Sequence, residues 1–143
     1  MDEYMKVFGV AIKAYIFKKN RILVIYKTAK EAANDPKPEN RKDVPGGRLE
    51  FGEEPIQALK REVKEEVNLK VNVVKPLRIW HYVKGNFQLV GINYLCLWEA
   101  GDVLLSDEHE YYEWLTKEDI ISLNWDDVDQ YLEAFNNYEK DYS

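Results

Sequence analysis

Residues 46–69, with the sequence GGRLEFGEEPIQALKREVKEEVNL, join a pair of glycines to an unusual density of carboxylates. Glu54 can cap a helix, and Pro55 suits the first helical position, where a missing N–H costs nothing. The segment therefore predicts a helix that begins at Pro55 and runs to about Val67, with Asn68 ending it. We expect this helix to carry the functional site of the protein.

The predicted helix has an apolar stripe with an acidic flank beside it. At about 100° per residue, one side collects residues that can pack on a core, namely Ile56, Leu59, Val63 and Val67. Glu62, Glu65 and Glu66 lie at i, i+3 and i+4, so they share the neighbouring flank. Three such carboxylates would raise one another's pKa unless a cation compensated for them. Oxygen ligands in a segment without Cys or His favour Mg²⁺ or Mn²⁺, and Mg²⁺ commonly shares its coordination with substrate phosphates.

The spacing of these residues resembles the Nudix box of the MutT-like hydrolases. Gly47 is followed after five residues by Glu53, and after seven more by REVKEEVNL at positions 61–69. Every position fits except Asn68, where the family usually has Gly. Asn is the next most tolerant residue at a left-handed helix end, so we expect this departure to affect stability rather than chemistry.

The resemblance implies roles for the residues of the box. It implies a metal site formed by the Gly46 carbonyl with Glu62, Glu65 and Glu66, and it implies that Glu62 takes a proton from the attacking water. Because Arg61 precedes Glu62 on the helix, we expect it to face away from the metal flank and to form an ion pair that orients Glu53 or a nearby loop.

Composition limits the class of protein. The chain has 143 residues, a net charge of −6 and a pI near 5.0, and its 20 Lys and Arg are scattered, which argues against long nucleic acid as a partner. Cys96, the only cysteine, lies in an apolar run and reads as a buried thiol in a reducing compartment. No stretch approaches the roughly 18 apolar residues that a membrane span needs. We expect one cytoplasmic domain, residues 1–143 with a core at about 6–138.

The first part of the chain predicts a β-hairpin followed by a long loop. Residues 7–17 and 21–27 are rich in β-branched and aromatic residues, with a short turn between them. Residues 28–43 are polar and lack periodicity, so they are either a lid over the substrate or a mobile loop. Arg41 and Lys42 could reach a phosphate, although solvated charges are the more ordinary interpretation.

Strands are predicted again after the helix, over residues 70–74, 77–84 and 88–99, with a turn at Gly85-Asn86. Four residues around this hairpin could stack on a nucleobase or simply pack on the sheet: Trp80, His81, Tyr82 and Phe87. With a terminal amphipathic helix at residues 126–138, the order of elements indicates an α/β fold. The resemblance implies an α/β/α sandwich with a central mixed sheet.

Residues 105–121 predict a loop, a short strand at 111–115 and a helix capped by Thr116. The pattern Ser-x-Glu-His followed by Tyr-x-x-Trp-Leu is similar to a segment that crosses the mouth of the site in many Nudix enzymes. Glu108 or Glu110 could there be an additional metal ligand or base, or only part of a solvated acidic loop.

The resemblance implies a Mg²⁺- or Mn²⁺-dependent pyrophosphohydrolase acting on a nucleoside diphosphate linked to a group X. A nucleoside triphosphate is the first expectation because no additional domain would hold a large second moiety; diadenosine polyphosphates and ADP-ribose are the alternatives. A nucleotide-binding module without catalysis is the alternative of another class, although such modules usually lose glutamates that are present here. An exposed sheet edge could support a homodimer.

Overall fold

The computed structural model describes residues 5–33, 35 and 37–142. Its strands are β1 (Val7–Lys18), β2 (Arg21–Lys27), β3 (Lys42–Asp43), β4 (Gly46–Arg48), β5 (Lys70–Lys84), β6 (Phe87–Ala100) and β7 (His109–Leu115). Its helices are α1 (Ala29–Ala32), α2 (Pro55–Val67), α3 (Lys117–Leu123) and α4 (Val128–Tyr142). The strands form one sheet in the order β3-β2-β1-β6-β5, with β4 paired to β1 and β7 paired to β2.

The sheet is mixed, as expected. Strands β1 and β6 run parallel, from the pair Val7 and Phe87 to the pair Phe17 and Leu97, whereas the other neighbours are antiparallel. The central position of the parallel pair suits its long runs of apolar residues, because both faces of these strands are covered.

Two helical layers cover the sheet and divide its core. Alternate residues of β1 point to opposite faces: Ile12, Ala14 and Ile16 pack with α2, whereas Tyr15 and Phe17 pack with α4. Cys96 belongs to the α2 side and is fully buried, as predicted. The α/β/α sandwich is therefore confirmed.

Both predicted hairpins are present. In the first, Lys19 and Asn20 form the turn with φ values of 49° and 65°, and in the second Gly85 has a φ of 61°. The predicted break near residue 75 is wrong, since β5 continues through Pro76 with register shifts on either side of it. As β5 is an edge strand, a missing N–H at Pro76 leaves no central hydrogen bond unmade.

Other boundaries also differ from the sequence prediction. The segment 28–43 is not entirely irregular, because Thr28 caps the short helix α1 and residues 42–43 pair with β2. Strand β7 begins two residues earlier than predicted, at His109, and α4 runs from Val128 to Tyr142 rather than over residues 126–138. Among the described residues, the structure has no helix both long and apolar enough to cross a membrane.

Candidate active site

Helix α2 has the predicted bounds and caps. The Glu54 carboxylate accepts hydrogen bonds from the N–H groups of Ile56 and Gln57, and Pro55 occupies the first turn. At the other end Asn68 is left-handed, with φ 62°, and its N–H donates to the Lys64 carbonyl. Because Leu59, Val63 and Val67 are buried in the core, the acidic flank of the helix is held beside strand β4.

Glu66 is the carboxylate of this flank that enters the interior. It is only 8% exposed, and its Oε1 accepts a hydrogen bond from the Gly46 N–H at 2.7 Å. Burial raises the pKa of Glu66 to about 7, although the Gly46 N–H and the charge of Lys13 act in the opposite direction. Gly46 has a φ of 150°, and a Cβ there would collide with the carbonyl oxygen of Ile12, so only glycine fits.

Glu66 meets two residues from the segment before β7. Potential ligand atoms of Glu66, Glu108 and His109 all lie within 4.8 Å of one another. Glu110, the other loop glutamate, instead accepts a hydrogen bond from the exposed Arg41 at 2.9 Å. Of the two glutamates considered from the sequence, Glu108 is therefore the one placed beside the box.

His109 is held by a buried acid. Its Nε2 lies 3.2 Å from Asp43 Oδ2, and Asp43 Oδ1 lies 2.9 Å from the Lys13 ammonium. Burial alone would raise the pKa of Asp43, but Lys13 and His109 hold it well below its usual range. An ionised carboxylate can only accept a hydrogen bond, so Nε2 carries the proton. The buried Nδ1 is left without a hydrogen-bond partner among the described residues.

Arg61 lies among the other acids of the box. One guanidinium nitrogen is 2.7 Å from Glu53 Oε2, as predicted, and the other is 3.1 Å from Glu65 Oε2 and 3.4 Å from Glu62 Oε1. The expectation that Arg61 faces away from the acidic flank is wrong, because its long side chain reaches both carboxylates. Arg61 thus supplies part of the compensating positive charge that the sequence argument assigned to a metal ion.

Glu62 lies against the backbone of the glycine pair. A Cβ at Gly47 would be 3.0 Å from the Glu62 Cδ and Oε2 atoms. Burial raises the pKa of Glu62, the neighbouring charges of Glu65 and Glu108 act in the same direction, and Arg61 opposes them. Glu53 behaves differently, since the Glu50 N–H and then Arg61 lower its pKa.

Gly47, which lies against Glu62, is also one of the residues that line a cleft of about 480 Å³. Five basic side chains line it, namely Lys13, Lys27, Lys37, Lys42 and Arg48, against two acidic ones, Asp35 and Asp43. Trp80 and Tyr82 are also lining residues. The cleft therefore combines basic and aromatic side chains with a glycine that lies against the acidic cluster.

These observations agree with the family comparison, in which the model of the NUDIX domain matches residues 7–136. The chain belongs to the Nudix family. Nucleoside triphosphatase NudI of Enterobacter sp. (strain 638) is 32% identical over 90 residues, which cover 55% of this Nudix chain and 64% of that protein. The match thus spans less than two thirds of the relative's length.

Solved structures share the Nudix fold. The MutT protein of Methanosarcina mazei Go1 superposes with a TM-score of 0.72 at 20% identity, covering 94% of this chain and 95% of that one. An ADP-ribose pyrophosphatase from Streptococcus suis 89-1591 has a TM-score of 0.68 at 16% identity, covering 94% of both chains. At these identities the similarity concerns the fold alone.

The Nudix box by itself did not reveal all the residues at this site. Sequence reasoning missed Lys13, Lys27, Asp43 and His109 as site residues. Lys13 and Lys27 lie in apolar strands, where a lysine has no distinguishing signal. His109 was visible only as the residue that follows Glu108, an adjacency that gave no indication of its burial.

Proposed function

We propose that this Nudix protein hydrolyses a nucleoside triphosphate to the monophosphate and pyrophosphate, with a divalent metal ion as cofactor. The observation that carries the proposal is the continuity of the site: Gly47, which lies directly against Glu62, also lines the cleft that contains five basic side chains. Basic side chains bind the negative charge of a polyphosphate. The similarity to the nucleoside triphosphatase NudI supports the choice of substrate.

The residues at the box fit a divalent metal ion. Glu66, Glu108 and the unpartnered Nδ1 of His109 would hold it, and the resemblance adds the Gly46 carbonyl, Glu62 and Glu65 as further ligands. Asp43 then fixes the ring of His109, as carboxylates commonly do behind histidine ligands. When bound, the ion neutralises phosphate charge and lowers the pKa of a coordinated water. Oxygen ligands suit Mg²⁺ or Mn²⁺, and an imidazole nitrogen shifts the preference toward Mn²⁺.

The side chains of this protein divide the remaining work. Lys13, Lys27 and Lys42 form ion pairs with Asp43, Asp35 and Asp127, and in this proposal they also bind the phosphates in the cleft. Glu62 accepts the proton of the attacking water, whose oxygen forms a bond to phosphorus as the P–O bond to the leaving pyrophosphate breaks. The partial burial that raises the pKa of Glu62 makes it a stronger base. Arg61 positions Glu62 and Glu53 through its ion pairs.

The deciding experiment measures pyrophosphate and phosphate release in Mg²⁺ and in Mn²⁺. Nucleoside triphosphates, diadenosine polyphosphates and ADP-ribose are compared, using wild-type protein and the variants Glu65→Gln and Glu66→Gln. Turnover of triphosphates and loss of orders of magnitude in both variants are expected. Glu118→Gln, which changes an exposed residue of α3, is the matched control and should retain wild-type turnover.

Each other result selects a different conclusion. Preferential cleavage of a diadenosine polyphosphate or of ADP-ribose would show that the proposed substrate is wrong and that the proposed hydrolase activity is right. If no substrate is cleaved while nucleotides still raise the melting temperature, the binding module without catalysis is correct. Full activity of Glu66→Gln would refute the metal site.

Metal binding is tested separately through His109. Replacement by Asn should weaken Mn²⁺ binding by at least about 10-fold, because losing even a partner that supports a metal ligand costs that much. The free-ion electron paramagnetic resonance signal without substrate measures this affinity. His81→Asn, which changes the exposed histidine of β5, is the control. Unchanged Mn²⁺ affinity in His109→Asn would remove this residue from the ligand set.

A further inference from the structure

Trp80 and Tyr82 form an aromatic pair on the cleft side of β5. Their rings are nearly parallel, at 10°, with centroids 6.5 Å apart. Both line the cleft that Gly47 also lines. Within the described part of the chain, neither belongs to the side chains that pack against the two hydrophobic cores. Core packing therefore does not account for this pair.

A buried chain of hydrogen bonds fixes the Trp80 ring. Its Nε1–H donates to Asn93 Oδ1 at 2.8 Å, Asn93 donates to the Tyr15 hydroxyl at 3.4 Å, and Tyr15 donates to Gln130 at 3.3 Å. Asn93 is 3% exposed and Tyr15 is 4% exposed. Burying polar groups carries a desolvation cost that hydrogen bonds must offset. Here that network determines the orientation of one partly exposed aromatic ring.

Gly91 provides the space in which this ring lies. It is the cross-strand partner of Trp80, and a Cβ at Gly91 would collide with the indole carbons Cε2, Cζ2 and Cδ2. The indole therefore rests directly on the backbone of β6. Any larger residue at position 91 would displace it. Two independent contacts, one polar and one steric, thus hold the ring in a single position.

Resting on the proposed function, we propose that Trp80, with Tyr82 beside it, is the surface on which the nucleobase of the substrate stacks. The same cleft has five basic side chains that would bind the polyphosphate, so a nucleotide whose phosphates lie among them can place its base on the aromatic pair. Aromatic side chains stack on any base, because every base presents a π-face. A ring that is already held in place loses little conformational entropy when the base binds.

The edge of a stacked base would meet polar groups. A second cavity of about 130 Å³ adjoins Trp80, and Asp127 and Gln130 are among its lining residues. Their amide and carboxylate groups can donate to and accept from base edges. Stacking supplies affinity for nucleobases in general, whereas this cavity distinguishes one base from another.

The test separates the base from the phosphates. Binding of an α,β-methylene nucleoside triphosphate and of inorganic tripolyphosphate is measured by calorimetry in Mg²⁺. Wild-type protein should prefer the nucleoside triphosphate by at least about fivefold. Trp80→Leu and Gly91→Ala should lose this preference while their affinity for tripolyphosphate stays unchanged. His81→Ala is the matched control, because residue 81 lies between the pair but points to the opposite face of β5.

Circular dichroism and the melting temperature establish that each variant is folded. For a folded Trp80→Leu or Gly91→Ala, a retained preference overturns the proposal, and so does a wild-type protein that does not distinguish the two ligands. Cleavage of triphosphates without any preference for the nucleoside would leave the proposed function standing and remove the stacking surface. If the protein hydrolyses nothing but its preference for the nucleoside triphosphate disappears in Trp80→Leu, the stacking surface stands and the proposed function is removed.

Discussion

Arg61 shows how a single residue of the box organises its neighbours. Its guanidinium contacts Glu53, Glu62 and Glu65 at once, so it determines both the position and the charge balance of these carboxylates. Lysine could not replace this arrangement, because an ammonium lacks the planar fork that reaches several acids. Arg61 is a positioning residue in the proposed mechanism.

Replacement of Arg61 by Gln should lower turnover by about 10- to 100-fold, the usual effect of losing a group that supports a metal or catalytic site. Since Arg61 lowers the pKa of Glu62, the acid limb of the pH–rate profile should also move to higher pH. Steady-state kinetics across pH measure both effects. Lys60→Gln, which changes the exposed neighbouring residue, should alter neither turnover nor the pH of the acid limb. An acid limb that stays at the wild-type pH in Arg61→Gln would contradict the positioning role.

The raised pKa of Glu66 makes stability depend on pH in the metal-free protein. With a folded pKa of about 7 and an ordinary value of 4.5, the folded protein retains this proton where the unfolded chain has released it. The contribution of Glu66 to the free energy of unfolding should therefore be highest below the ordinary value, fall as pH rises through 7, and then level off. The total decrease is about 3 kcal/mol.

Urea denaturation in EDTA at a series of pH values measures this dependence. Glu66→Gln keeps an acceptor for the Gly46 N–H but cannot titrate. Its free energy of unfolding should therefore fall less than that of wild type as pH rises through 7. Curves for wild type and variant that run parallel across this range would contradict the assignment.

At the scale of elements, the end of α2 depends on one unusual residue. Asn68 adopts the left-handed conformation at the position where the Nudix box usually has Gly, and its side chain makes two additional hydrogen bonds. Its Oδ1 accepts from Lys64 at 2.9 Å, and its Nδ2 donates to the Asp102 carbonyl at 3.2 Å. These contacts offset part of the cost that a side chain brings to this conformation.

Asn68→Ala should lower the free energy of unfolding by about 1–2 kcal/mol, because alanine adopts the left-handed conformation at a cost and makes neither hydrogen bond. Asn68→Gly should fall between alanine and wild type, since it removes the strain as well as the bonds. Urea denaturation gives the order. Turnover of both folded variants should equal that of wild type, and a large loss of activity would show that the helix end also positions the site.

Over the whole molecule, α2 and α4 cover opposite faces of the sheet, each with its own hydrophobic core. Phe135 on α4 is 2% exposed and packs edge-on against Phe17, with the two ring centroids 5.0 Å apart. Both lie on the face of the sheet opposite α2. This core joins α4 to the central strands. The carboxylates of the box lie with α2 on the other side.

Phe135→Ala should therefore lower the free energy of unfolding by about 3–5 kcal/mol through the cavity that it leaves. The folded fraction should keep the wild-type turnover number at low temperature. Thermal denaturation and activity per folded molecule test these statements. Phe8→Ala is the control, because Phe8 is 70% exposed and its loss should change stability little. A folded but inactive Phe135→Ala would indicate coupling between the two faces.

Local sequence determined helix α2, its caps, the two hairpins and the order of the elements. These features depend on neighbours only a few residues apart: Glu54 caps the N–H groups of Ile56 and Gln57, and Asn68 ends the helix through Lys64. The ion pair of Glu53 and Arg61 was predictable for the same reason. The two residues are only eight positions apart in the sequence, and the helix between them fixes their distance. The family resemblance added the sandwich around them.

Only the tertiary structure decided which groups meet at the site. Glu66 joins Glu108 and His109 from a distant segment, and Trp80 is fixed by Asn93 and Gly91 on the neighbouring strand. Periodicity tells which face of an element a side chain occupies, but not which residues lie opposite that face. Register, twist and packing determine that partner, and they depend on the whole chain. The burial that raises the pKa of Glu66 has the same origin.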